Sequence, residues 1–165
     1  MKKRSLIPLL LFFGALTLYG QTAAELDAML ETQTVTAAAA ARFVLGAAQL
    51  LPPELSGPAA RTAAYEMARS RGWVTKDSGQ ALNLRDTAFL VMNAFDFSGG
   101  IMYSLLANPR YAYREMIYRK IIQGRSDPAM PVSGQRLLQI IGRALDYSGE
   151  NEELDAEIAR GGGVM

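Results

Sequence analysis

Apolar residues recur along this chain at helical spacing, in blocks separated by Gly, Pro and short polar runs. In "GQRLLQIIGRAL", Leu137, Ile140, Ile141, Ala144 and Leu145 fall at i, i+3, i+4, i+7 and i+8, the buried stripe of an amphipathic helix. Leu84, Ala88, Val91 and Phe95 do the same in "NLRDTAFLVMNAF", and "AAAAARFVLGAA" is built largely from the strongest helix former, with small side chains that permit close helix approach. Two further helices are predicted between these blocks. "PAARTAAYEMARSRGWV" opens at Pro58 and is ended by Gly72, and "RYAYREMIYRKIIQG" is broken by Gly124. Trp73-Val74 and Ile121-Ile122 read as short extended pieces, and Leu51-Pro52-Pro53 and Phe97-Ser98-Gly99-Gly100 as loops. The pattern predicts an all-α single domain of about five helices over residues 21–150. An acidic last helix and a flexible Gly-rich tail, "GENEELDAEIARGGGVM", should follow over 151–165.

The three anchored helices share a local design. Thr34-Val35-Thr36, Asn83-Leu84-Arg85 and Pro131-Val132-Ser133 each set an aliphatic anchor just before a helix, and Thr36 and Ser133 are good N-caps. The anchors Val35, Leu84 and Val132 lie 49 and 48 residues apart, a spacing that points to internal repetition. Leu84, Val91, Phe95, Leu137, Ile140, Ile141 and Leu145 should share one core, and Trp73, the sole tryptophan, should plug a repeat junction.

A helix ending in Gly-aromatic-aliphatic or aliphatic-aliphatic-x-Gly, an acidic loop, and Pro-aliphatic-Thr/Ser opening a second helix resembles the S-layer homology (SLH) module. Ile121, Ile122, Gly124, Asp127, Pro131, Val132 and Ser133 carry the resemblance; "RGWVTKDSGQALNLRDTAFLVMNAF" follows it more loosely, and the first copy keeps only its anchored helix. In general style the chain also resembles exported envelope proteins of spirochaetes. The SLH resemblance implies degenerate helix-loop-helix repeats arranged as a helical pseudo-trimer, which in that family binds cell-wall polymers in grooves between repeats. The family's ligand signature places Arg directly after the Thr and Glu two residues later. Here those places hold Ala37 and Ala39, Asp86 and Ala88, and Gly134 and Arg136, so the resemblance assigns no residue to a glycan.

Charge and composition refine this picture. Met1-Lys2-Lys3-Arg4-Ser5, an uncharged apolar run from Leu6 to Leu18 and the small residue Gly20 form the sequence of a secretory signal peptide over 1–20. That run has 13 residues, short of the roughly 18–20 that span a bilayer, so no transmembrane segment is expected in the mature form. Removing Lys2, Lys3 and Arg4 with no acid turns the net charge from +1 to −2, a poor footprint for nucleic acid. The chain has no Cys and no His, which closes thiol, imidazole-triad and thiolate- or imidazole-metal chemistry. No cofactor or metal site is expected. The carboxylates that remain show no pair at a glycosidase or metal-cage spacing.

The richest chemistry lies in "NPRYAYREMIYRKIIQGRSDP" (108–128). On a helical wheel Tyr111, Arg114, Glu115 and Tyr118 share one face, and Tyr113, Met116, Ile117 and Lys120 the other, so Tyr113 and Ile117 should be buried. Glu115 and Arg119 form an i,i+4 pair. The first face reads either as an exposed helix surface laced by its own contacts or as a recognition surface, since Tyr and Arg are enriched at hot spots. Arg110 and Arg125 flank it. Two function classes follow. One is an exported, periplasmic or extracellular, non-catalytic cell-envelope module that binds an envelope protein or cell-wall polymer in a structural role. The other is a small carboxylate-dependent hydrolase acting on envelope glycan. On the first of these, amino-terminal sequencing of material recovered from outside the cytoplasm should begin at Gln21, for cleavage after Gly20, or at Glu25, for the second site after Ala24; a product retaining Met1 would refute cleavage.

Overall fold

A computed structural model describes residues 23–161, so residues 1–22, with the predicted signal peptide, and residues 162–165, the end of the predicted Gly-rich tail, lie outside the described part. Seven helices appear among the described residues: α1 (23–31), α2 (Ala37–Ala47), α3 (Gly57–Ser70), α4 (Leu84–Ala94), α5 (Ile101–Leu105), α6 (Pro109–Tyr118) and α7 (Gly134–Gly161). The all-α class is as the sequence predicts; the count exceeds five because α1 and the five-residue α5 are too short to show a clear period. α7 runs through position 150 without interruption, so the acidic stretch continues it rather than forming a separate helix.

Three helices form the inside. α2, α4 and α7 pack on one another, α3 packs on α2, and α6 packs on α4. α1 reaches α7 at its first residue, where Gly134 N donates to Thr32 O at 2.8 Å. Each inner helix therefore carries one outer helix that comes from the next helical pair around the ring.

The amino-terminal ends of the inner helices meet in a closed ring of backbone hydrogen bonds. Val35 N donates to Val132 O (2.8 Å), Val132 N to Leu82 O (3.1 Å), and Leu82 N to Val35 O (3.0 Å). All three residues are essentially inaccessible, at 0%, 0% and 1% exposure. The second anchor is therefore Leu82, not Leu84, and the three lie 47 and 50 residues apart. Leu84 is the first residue of its helix and is also buried, which hid the two-residue shift in register.

The unpaired donors of each first helical turn are then accounted for. Thr36, Asn83 and Ser133 cap the third helical N–H, of Ala39 (3.4 Å), Asp86 (2.9 Å) and Arg136 (3.3 Å). The first N–H of each helix donates to a carbonyl of the neighbouring loop: Ala37 to Gln80, Leu84 to Met130, Gly134 to Thr32. Ala38 and Arg85 likewise donate to Ser78 and Pro128.

Helix ends are equally regular. α2, α3, α4 and α6 each finish in a reversal with one left-handed residue, Gln49, Gly72, Asp96 and Lys120, and the following N–H reaches back to Leu45, Ala68, Met92 and Met116. Gly124, expected to end α6, lies four residues beyond the true reversal at Lys120. Trp73-Val74 and Ile121-Ile122 are not extended pieces. They fold back over the helix end they follow, which drives Val74, Ile121 and Ile122 into the core.

Leu84, Val91, Leu137, Ile140 and Ile141 lie in one buried cluster, with Phe95 packed against it. Ala37, Ala40 and Ala41 of α2 and Ala60, Ala64 and Ala68 of α3 are buried, and those two helices pack extensively on each other. Leu145 departs from expectation. It is 45% exposed because α7 has by then passed the ends of α2 and α4, and it borders a surface hollow with Gln49 and Asp96.

A Cβ at Gly134 would sit 1.6 Å from Met29 O, whereas one at Gly142 meets nothing within 4 Å. Gly134→Ala should therefore destabilise the fold by about 1–3 kcal/mol or more. Gly142→Ala on the same helix should stabilise it by about 1 kcal/mol. Urea unfolding of the two variants checks this reversal of sign.

Candidate functional site

α6 starts where Asn108 accepts from the N–H groups of Arg110 (3.0 Å) and Tyr111 (3.2 Å), with Pro109 at the first helical position. It turns Ala112, Tyr113 and Met116 toward α4. Tyr113 is buried as expected, and its hydroxyl donates to Ser126 O. Ile117 is not: at 37% exposure it lies at the rim, because Ile121 and Ile122 fold back and take the core space beside Met116.

The opposite face of α6 forms a cleft with α5. Tyr111, Arg114, Glu115 and Tyr118 line it with Gly100, Ile101 and Tyr103, around a volume of about 350 Å³. Four of the six residues singled out from sequence are thus brought together. Arg110 is exposed on the same helix without lining the cleft, and Arg125 lies in the following loop, where its carbonyl accepts from Arg136. Gly100, Ile101 and Tyr103 were missed. "GIMYSLL" has too few residues to show a period, though an uncharged aromatic segment beside a Gly pair is a signal of a packed turn.

The cleft holds two kinds of polar group. Glu115 is committed to the fold: one carboxylate oxygen accepts from Arg119 Nε at 2.9 Å and the other from Gly100 N at 3.3 Å. Arg119 also donates to Ser98 O, and its guanidinium lies over the rings of Tyr147 (4.9 Å) and Phe97 (5.9 Å). Phe97 and Tyr147 meet edge to face at 5.1 Å. The predicted Glu115–Arg119 pair is therefore the clasp that closes the back of the cleft, joining α6, the 97–100 loop and α7. Arg114 and Tyr118 are of the other kind. Both are exposed, Tyr118 at 83%, and among the described residues Arg114 makes no ion pair.

No protein-family model, curated protein or solved structure matches the chain. The residues directly after the caps Thr36, Asn83 and Ser133 are Ala37, Leu84 and Gly134. The first two are fully buried, and the third lies against the backbone of α1. No guanidinium fits at any of the three. Two residues further on stand Ala39, Asp86 and Arg136. Asp86 pairs with Lys76 at 3.1 Å, and Arg136 donates to the carbonyls of Gln123 and Arg125. These groups close the loops of their own helical pairs.

A smaller cleft of about 250 Å³ lies along Trp73, Lys76, Asp86 and Phe89. Trp73 packs on the core with one face and holds Arg71 over its ring at 4.8 Å. The Lys76 ammonium is bound to Asp86 and to Ala81 O at 2.7 Å, so its charge is already matched. No group of three or more acidic side chains able to hold a metal ion occurs among the described residues.

Burial raises the Tyr103 hydroxyl above its ordinary value of 10.0, with the Asn93 side chain pulling the other way. The folded state then keeps a proton that the unfolded chain loses, so this contribution is intact below pH 10.0 and falls away as pH rises beyond it. Tyr103→Phe should flatten the alkaline fall in melting temperature relative to the parent. Matching curves above that pH would show that Tyr103 is not the group responsible.

Proposed function

We propose that this chain is an exported, non-catalytic cell-envelope module that binds an envelope protein or polymer through the α5–α6 cleft and acts structurally. Residues 1–20 are read as its signal peptide. Among the described residues no helix is long and apolar enough to cross a membrane. The cyclic arrangement of three helical pairs supports descent from SLH-like repeats, because each pair enters the ring through the same anchor, cap and neighbouring carbonyl.

The observation that carries the binding reading is the division of labour on α6. Glu115 and Arg119 are held by the fold, whereas Arg114 and Tyr118 face outward beside exposed Ile101. An aromatic ring and a guanidinium that the fold does not use are the groups most often found at binding hot spots.

The same geometry favours a module over a hydrolase. Carboxylate catalysis needs two acids sharing a cleft. Among the residues whose burial is described no Asp or Glu is buried, and the one acid lining this cleft has both oxygens occupied by Arg119 and Gly100. The SLH signature places hold no free Arg–Glu pair, so the partner is assigned to the α5–α6 face rather than to a groove between repeats.

Arg114→Ala combined with Tyr118→Ala should change stability by no more than about 0.5 kcal/mol, as surface changes do. Retention of a partner from envelope extracts should fall about 30-fold, the equivalent of roughly 2 kcal/mol. Thermal melting and capture measured on one preparation decide it. Collapse of the fold would make this an ordinary docked helix surface.

A further inference from the structure

Exposed apolar side chains gather at the α5–α6 cleft: Ile101 (80%) and Tyr118 (83%) line it, and Leu105 (73%) and Leu106 (56%) are exposed at the end of α5. Arg114 lines the cleft and Arg110 is exposed one turn before it on the same helix, while Glu115 is neutralised by Arg119. The surface thus combines apolar area with net positive charge, in a mature chain that is slightly acidic overall.

The complementary chemistry lies in α7. This helix packs on α2 and α4, and Tyr147 closes against Phe97. It then runs a further 14 residues to Gly161, about 21 Å at helical rise. That extension contains Glu150, Glu152, Glu153, Asp155 and Glu157 against the single cation Arg160. Its sequence spaces Leu154 and Ile158 one turn apart, the pattern of an apolar anchor pair on an acidic helix. An unbroken helix is a rod. It cannot double back on itself between Tyr147 and Gly161.

We infer that the α5–α6 cleft of one copy receives the acidic end of α7 from a second copy, and that the exchange is mutual. Each copy would give one helix end and one cleft, the closed two-fold arrangement that limits assembly to a dimer. Leu154 and Ile158 would enter the apolar floor beside Ile101 and Tyr118, while the surrounding carboxylates meet Arg110 and Arg114. This inference rests on the α5–α6 face being a recognition surface and names its occupant.

A charge exchange on the full mature chain tests it. Variant one carries Arg110→Glu and Arg114→Glu; variant two carries Glu152→Lys, Glu153→Lys, Asp155→Lys and Glu157→Lys, which turn the helix end from net negative to net positive. Mass measured by light scattering after gel filtration should show a dimer for the parent, with affinity weakening at least about tenfold on going to high salt. Each variant alone should be monomeric, because its cleft and helix end then share one sign. Mixed in equal amounts, the two should restore the dimer, since both contacts again join opposite charges. Unchanged melting curves confirm that each variant is folded. A parent that stays monomeric, or variants that both remain dimeric, overturns the inference. If a monomeric parent still captures envelope material and loses it on Arg114→Ala with Tyr118→Ala, the recognition surface stands and the second copy is the wrong occupant.

Discussion

Three buried amide hydrogen bonds, linking Val35, Leu82 and Val132 head to tail, set the positions of the other elements. Each residue donates to one partner and accepts from the other, so no backbone group at the centre is left without a partner. A buried donor or acceptor that lost its partner would cost about 1–3 kcal/mol, and opening one link strands groups on two segments at once. The ring therefore holds the starts of α2, α4 and α7 at a common point. From there the loop carbonyls of each pair complete the first turn of its neighbour, and the three pairs become interdependent.

That constraint also limits which residues can follow the caps. The residue just inside each cap faces the centre, where Ala37 and Leu84 are buried and Gly134 touches the carbonyl of Met29. Here the space is filled, by small or aliphatic side chains and by the end of α1. Arg136 and the Lys76–Asp86 pair then tie down the adjoining loops, so charged groups near the centre serve folding.

The outer surface of α6 is arranged by a different rule. The helix shows α4 only the stripe of Ala112, Tyr113 and Met116, and its end reverses at Lys120 so that Ile121 and Ile122 seal the edge. α5 lies across the remaining face and is held by the Glu115 clasp to Gly100. The outcome is a cleft with a rigid back wall and an unused aromatic and cationic front.

Much of this was legible in the sequence. The 3.6-residue period located α2, α4 and α7, the Thr36 and Ser133 caps marked two of their starts, and Val35 and Val132 were recognised as anchors. Tyr111, Arg114, Glu115 and Tyr118 were correctly grouped, because i, i+3 and i+4 neighbours share a face in any helix. Three things were decided only by tertiary structure. The second anchor is Leu82 because a cyclic hydrogen-bond register, not local similarity, selects which aliphatic residue enters the ring. Ile117 and Leu145 are exposed because burial depends on where a neighbouring element stops, which no periodicity records. Glu115 belongs to the fold while Arg114 does not, because Gly100 and Arg119 approach one carboxylate from two different segments. Local spacing determines which side chains travel together; what they meet depends on contacts between residues far apart in the chain.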